Sequence, residues 1–220
     1  MGFAALAAAL AFSCPANLAN ELASTRSAQQ LITVEAPDYG MTYASLRLWR
    51  RTGSCWSAVA GPWPARLGSR GLSDHHREGD GTTPTGAYGF GAVVYGTAAN
   101  PGVRYAYHRL VCGDWWDEDP SSHTYNRFRH VACGARPPFG GGSEALWTIP
   151  AYRHFAVIRY NVAPTIAGRG SAIFLHDAVG AVTNGCVSVA PAQLDSILRW
   201  LRPTAAPLIV IGTSAEIRRF

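Results

Sequence analysis

The density of chain breakers limits this sequence most. Gly (23) and Pro (14) make up about one residue in six of the 220. Such punctuation favours many turns and short strands over long helices. The stretches between the breakers are apolar enough to build a core. Hydrophobic residues are 48% and charged residues only 15%, against roughly 25% charged in an average globular protein. Disorder is therefore excluded, and the length suits one domain with a sizeable core.

Read along the chain, the apolar stretches have the period of strands. Leu31–Glu35, Tyr43–Arg51, Trp56–Ala60, Tyr88–Tyr95, Tyr105–Val111, Tyr152–Tyr160, Ser171–His176 and Leu208–Ile211 are predicted strands. Ser171–His176 is apolar enough to be a buried central strand. Leu194, Ile197, Leu198 and Leu201 follow helical spacing, which predicts one helix over Pro191–Leu201 with Pro near its start. Gly68–Asp80 is a predicted loop, and Cys112–Gly142 a long irregular insertion. The expected class is mainly β, with one helix near the C-terminal end and long loops.

The first residues read as an address. Phe3–Phe12 is an apolar run of ten, too short to span a bilayer but suited to the core of a secretory signal. Small residues follow, and cleavage near Ala16 or Ala19 is expected. A lipid anchor at Cys14 is the rival reading. The division predicted is residues 1–28 as signal and tail and 29–220 as the folded domain. No other segment resembles a transmembrane helix, so an exported protein is expected, extracellular, or periplasmic where the cell has an outer membrane.

All 19 basic residues are Arg, and the net charge is +5. The absence of Lys rules out a lysine base, a Schiff base and a P-loop. An Arg-rich, Lys-free composition reflects a GC-rich coding genome as readily as a polyanion partner, so no nucleic-acid partner is expected. Five Cys remain. Cys14 is expected to leave with the signal. Cys112 and Cys133 bracket the insertion, and pairing them would constrain it. Cys55, beside Trp56, reads as a buried thiol. Three single pairings among these three remain open on sequence alone. Zinc is the runner-up, without C-x2-C spacing to support it, and no metal or cofactor is expected.

Chemistry concentrates at His176–Ser188, HDAVGAVTNGCVS. The His ends an apolar strand, and Cys186 sits on a Gly-containing turn before the next. An exported Cys within reach of a His fits a thiol nucleophile with its base. Gly185 can aim backbone N–H groups at an oxyanion, and Asn184 can add a donor or orient the imidazole. A buried structural Cys is the bland alternative.

A second segment, Arg77–Phe90, reads REGDGTTPTGAYGF. Gly79-Asp80-Gly81-Thr82-Thr83-Pro84-Thr85-Gly86, followed by Ile173-Phe174-Leu175-His176 and Thr183-Asn184-Gly185-Cys186, resembles the L,D-transpeptidase catalytic domain family (YkuD type). Two separated motifs in the right order carry the resemblance. It spans roughly Leu31 to Gly212. It implies a β-sandwich or open barrel with Cys186 as nucleophile and His176 as base. Cys186 would attack the third residue of a peptidoglycan tetrapeptide stem, and an amine of a second stem would resolve the thioester as a 3→3 cross-link. The Cys186 N–H, with that of Gly185, would face the oxyanion. An L,D-carboxypeptidase using water, and a non-catalytic wall-binding module, are the alternatives. Anionic wall polymers are further expected partners, through the Arg excess.

Two positions depart from the family pattern. Asn184 stands where a His is usual, and Ser188 where Arg or Asn is common. Ser188, Tyr160 and Asp177 are the candidate substrate-side residues: Tyr160 as a cleft wall, or else core, and Asp177 as an orienter of His176, or else a turn former. His75-His76 reads as a solvated loop. Asp80 and Thr82 read as turn or cap residues. Asp114, Asp117, Glu118 and Asp119 with Trp115 and Trp116 read equally as a binding lip and as a solvated acidic loop carrying packed Trp.

Overall fold

Strand by strand, the alternation of the sequence becomes a two-faced sheet. The computed structural model describes residues 13–220 except Arg26, Gly141 and Ala181. In β2 (Tyr43–Thr52) Ala44, Leu46 and Leu48 point into the core while Tyr43 and Ser45 face solvent. β1 (Gln30–Ala36), paired with β2 and the parallel β14 (Leu208–Thr213), is buried on both faces: Ile32 and Val34 in the main core, Leu31 in a second cluster with Trp49 and Val210. β3 (Cys55–Arg66) folds back on β2 as a long antiparallel hairpin.

The remaining strands of the main sheet are β6 (Gly86–Gly96), β7 (Ala106–Arg109), β11 (Phe155–Ile158), β12 (Phe174–Asp177) and β13 (Val187–Val189). Their order is β11-β12-β13-β3-β2-β1-β14-β6-β7, and β11 also pairs with β6. That extra pairing closes the sheet into a barrel. The chain is thus mainly β, as the punctuation and alternation predict. Two short strands, β4 (Leu72–Ser73) and β5 (Thr83–Pro84), pair beside the barrel. Helix α2 (Pro191–Trp200) starts on Pro191 and buries Leu194, Ile197 and Leu198 against Leu175, Val187 and Val189. None of the described helices is long and apolar enough to cross a membrane.

The region expected to be irregular, Cys112–Gly142, carries structure. β8 (Asp114–Asp117), β9 (Arg127–His130) and β10 (Glu144–Ala145) form a three-stranded sheet. The expectation of a solvated acidic loop fails at two positions, since Asp114 and Asp117 have no exposed surface. Each is buried because it is satisfied. Asp114 accepts from His108 Nε2 (2.8 Å), His130 Nδ1 (2.7 Å) and the Val111 N–H (2.8 Å). Asp117 accepts from the hydroxyls of Ser122 (2.5 Å) and Thr124 (2.6 Å). The Trp pair packs on the domain: Trp116 is buried edge-on against Phe174, and Trp115 packs against Trp147. A disulfide joins Cys112 to Cys133 across this sheet.

The N-terminal division needs correction. Cys14 is not apart from the domain and Cys55 is not a free thiol: the two form a disulfide with Cα atoms 5.2 Å apart. The β2–β3 hairpin tip presents Cys55, and the segment from Cys14 to Glu21 crosses it. Asn17 Nδ2 donates to the Trp56 carbonyl (3.0 Å), and Asn20 Oδ1 accepts from the Trp56 N–H (2.7 Å). Helix α1 (Leu18–Glu21) then buries Ala19 with Leu22, Ala28, Trp49 and Trp56. Residues 14–25 are therefore packed structure, not a tail, and cleavage near Ala16 or Ala19 would cut through them. The apolar run Phe3–Phe12 lies outside the described residues.

Candidate active site

The strands β11, β12 and β13 have two faces with different contents. One face (Ala156, Ile158, Leu175, Val187, Val189) joins the aliphatic core under α2. The other (Phe155, Val157, Phe174, Cys186) joins an aromatic cluster with Trp116, Leu146 and Tyr152, roofed by the small sheet. Cys186 and His176 belong to this second side. β12 and β13 run parallel with His176 opposite Ser188, which brings the Cys at 186 level with Phe174. Ten positions of sequence thus collapse to one diagonal step across two strands. A cleft of about 650 Å³ opens there, lined by His176, Cys186, Tyr152, Glu144, Glu118, His76 and Arg70 among others.

Cys186 is buried and held at both ends. Its Sγ–H donates to the Ala172 carbonyl (3.1 Å), and Sγ accepts from the Phe174 N–H (3.3 Å). Burial pushes the thiol up, and the nearby carboxylate of Glu144 adds to the push. The cysteine therefore rests as a neutral thiol. His176 rests neutral as well, because burial lowers its pKa to about 4. Its Nδ1 lies 2.8 Å from the Asp177 carbonyl. A carbonyl only accepts, so Nδ1 carries the proton and Nε2 keeps the basic lone pair.

Gly185 is required where it stands. Its φ is +142°, and a Cβ there would lie 2.9 Å from the Thr82 carbonyl oxygen. The loop is pinned by Thr183, whose Oγ1 donates to the Cys186 carbonyl (2.7 Å) and accepts from the Gly185 N–H (3.1 Å). The Gly185 N–H is therefore committed and does not face an oxyanion, contrary to expectation. Ala172, whose carbonyl receives the thiol, has φ +52°, the left-handed region. The Asn126 Oδ1 accepts from its N–H at 3.1 Å and helps hold it there.

Other expectations separate. Asn184 lines the cleft but is exposed, with no side-chain hydrogen bond among the described residues, so it does not orient the imidazole. Asp177 orients His176 through its carbonyl alone. Its carboxylate turns away to Arg153 Nε (3.2 Å) and the His154 N–H (3.2 Å). Ser188 is 2% exposed and outside the cleft lining; its strand is paired on both edges, with β12 at His176 and with β3 at Arg66. Tyr160 is also outside the lining: it packs edge-on against His76, and its hydroxyl donates to the His76 carbonyl (3.1 Å) and the Arg169 carbonyl (2.6 Å).

Sequence reasoning misses His76, Tyr152 and Glu144 as cleft groups, and reads Glu118 only as part of a lip or a solvated loop. His76 is buried, not solvated, with Nδ1 3.0 Å from both Thr82 Oγ1 and Asp80 Oδ1. Burial lowers its pKa. Its sequence signal was the Asp four positions on, inside the Gly79–Gly86 segment. Asp80 does form the expected turn, accepting from the Thr82 N–H at 2.8 Å. Tyr152 leaves the predicted strand because Pro150 starts a 3₁₀ turn there. Its ring meets His176 edge-on at 5.7 Å, and its hydroxyl donates to Glu144 Oε2 (2.5 Å). Glu118 and Glu144 lie under the roof, and burial raises both.

A family model for the L,D-transpeptidase catalytic domain, YkuD, matches residues 30–214. No curated protein and no solved structure matches the chain significantly.

Proposed function

The chain belongs to the L,D-transpeptidase catalytic domain family, and from that premise we propose that it cross-links peptidoglycan stem peptides through a Cys186 thioester. The observation that carries this reading is the presence of two neutral groups, a thiol and an imidazole, in one cleft. A buried thiol and an imidazole with its free Nε2 sit on adjacent strands of one sheet face.

The steps follow from those resting states. Cys186 Sγ attacks the carbonyl carbon of the third stem residue as its proton passes to His176 Nε2. Because the thiol is held up by burial, transfer accompanies attack; no thiolate waits in the free enzyme. The developing oxyanion takes the Cys186 N–H, since that of Gly185 is committed to Thr183. Collapse breaks the amide bond, and the leaving D-Ala amine takes the proton from His176. A thioester remains. The amine of a second stem then attacks it, gives up a proton to His176, and releases Cys186, which recovers a proton. No Lys of the protein competes as acceptor, for the chain has none.

Three further assignments belong to this reading. Residues 29–220 form the catalytic unit, with the packed segment 14–25 as its brace. The site is exported, in keeping with two disulfides. Anionic wall polymers are met by the Arg-rich surface. The test is incubation with defined tetrapeptide stems and mass analysis of products. A cross-linked dimer is expected from the wild type and not from His176→Ala. Tripeptide alone would make it a carboxypeptidase. No product, with retention on peptidoglycan, would make it a binding module.

A further inference from the structure

The cleft is one-sided in charge. Glu78, Asp80, Glu118 and Glu144 line it, burial holding the last two toward their neutral form, whereas Arg70 is the one guanidinium among its described lining residues. Both cleft histidines are held toward neutrality by burial. An anionic peptide end entering this cleft is repelled unless a cation meets it. Ser188, expected on the substrate side, is buried and uncharged and cannot supply one.

Three of the four acids have internal partners. Glu78 accepts from Ser171 Oγ (2.7 Å) and from the Tyr125 hydroxyl, Glu144 from Tyr152, and Asp80 from Thr82. Glu118 Oε1 is buried without one. Arg70 has no ion pair and no side-chain hydrogen bond among the described residues. Its backbone is fixed: its N–H donates to the Gly81 carbonyl (3.0 Å), and the neighbouring Ser69 N–H donates to the Thr183 carbonyl (2.8 Å), three residues before the nucleophile. Its stem crosses Gly81, where an added Cβ would lie 3.5 Å from both Arg70 Cγ and Cδ and 2.9 Å from Ser69 Oγ. The backbone is anchored to the cysteine loop while the charged head stays exposed and unpaired.

We propose that Arg70 is a specificity-determining residue that binds the terminal carboxylate of the donor peptide, the carboxylate carried by the leaving residue. This rests on the function proposed above, since the peptide is the acyl donor of that reaction. A planar guanidinium on a fixed loop can take a carboxylate through two parallel N–H bonds. The free carboxylate would thereby distinguish an uncapped donor from one whose end is amidated or extended.

Two measurements test it with one pair of synthetic donors, a tetrapeptide stem with a free terminal carboxylate and the same stem as C-terminal amide. Binding is measured by calorimetry on Cys186→Ala, which removes turnover from the question. The free acid is expected to bind about 10- to 100-fold tighter than the amide, and Arg70→Gln in the same background to erase that ratio. Equal binding of acid and amide by Cys186→Ala, or a ratio that survives Arg70→Gln, overturns the assignment. Acylation of the otherwise wild-type protein is followed separately by intact mass. If carboxylate-dependent binding is found but no donor acylates Cys186, Arg70 stands as a carboxylate site and the catalytic reading falls. Thermal unfolding and iodoacetamide labelling of Cys186 in Arg70→Gln confirm that the cleft is intact.

Discussion

The same three strands face two environments, and the contrast shows how a plain β-sheet acquires a reactive site. On one side of β12 and β13, Leu175, Val187 and Val189 are sealed by α2 in aliphatic packing. On the other, Phe174, His176 and Cys186 meet aromatic rings and an open cleft. Backbone, register and burial are shared; only the parity of the residue number differs. The aliphatic side is covered by a helix with an apolar stripe. The reactive side is covered by a small sheet that brings its own Asp, Asn and Glu, each needing a partner. Burial on the first side gives stability. On the second it holds a thiol and an imidazole neutral until substrate arrives.

Substitutions on either side sharpen this contrast. The largest effect is expected at the base: His176→Gln should lower kcat/KM on a stem substrate by about 100- to 10,000-fold while the protein stays folded. Undiminished turnover would remove His176 from the mechanism. Leu175→Ala, one residue away but facing the helix, should do the reverse. Deleting a fully buried leucine costs about 2–5 kcal/mol of stability, read by denaturant unfolding, with the activity of the folded fraction kept. If it instead abolished turnover at full stability, the two sides would not be separable.

Acid should also distinguish the sides. His176 has a pKa of about 4 when folded, below its ordinary 6.5. The unfolded chain therefore binds its proton first. The neutral imidazole's contribution is fully present above about pH 6.5 and is lost as pH falls toward 4, a change of about 3 kcal/mol. His176→Gln should flatten the stability profile over that window, and Leu175→Ala should leave its slope as it was. The smallest effect is expected for Tyr152→Phe. It removes the bond to Glu144 but keeps the ring against His176, so a loss of about 1–2 kcal/mol in stability and a modest fall in turnover should follow.

Legibility in the sequence also divides by side. The aliphatic side was readable, because Leu175, Val187 and the 194/197/198/201 spacing are apolar at the right periods. Cys186 and His176 were picked out by residue type and motif, and a parallel pairing with no local sequence signal brings them into one cleft. The roof was not readable. β8 to β10 have two to four residues each, and their buried members include Asp114 and Asp117, which read as solvent-exposed until their His and hydroxyl partners are placed. His76 was hidden for a similar reason: its burial depends on Gly170 and Tyr160, more than eighty positions away. Cys14 was misread because its partner, Cys55, lies 41 positions on at a hairpin tip.

The most direct test of the reactive side is the intact mass of the protein after exposure to a carbapenem, an acylating mimic of the stem. The wild type should gain one drug mass, located at Cys186 by peptide mapping, and Cys186→Ala should gain none. A wild type that takes up no mass although its thiol alkylates with iodoacetamide, or an adduct that persists in Cys186→Ala, would contradict the assignment of Cys186 as the nucleophile.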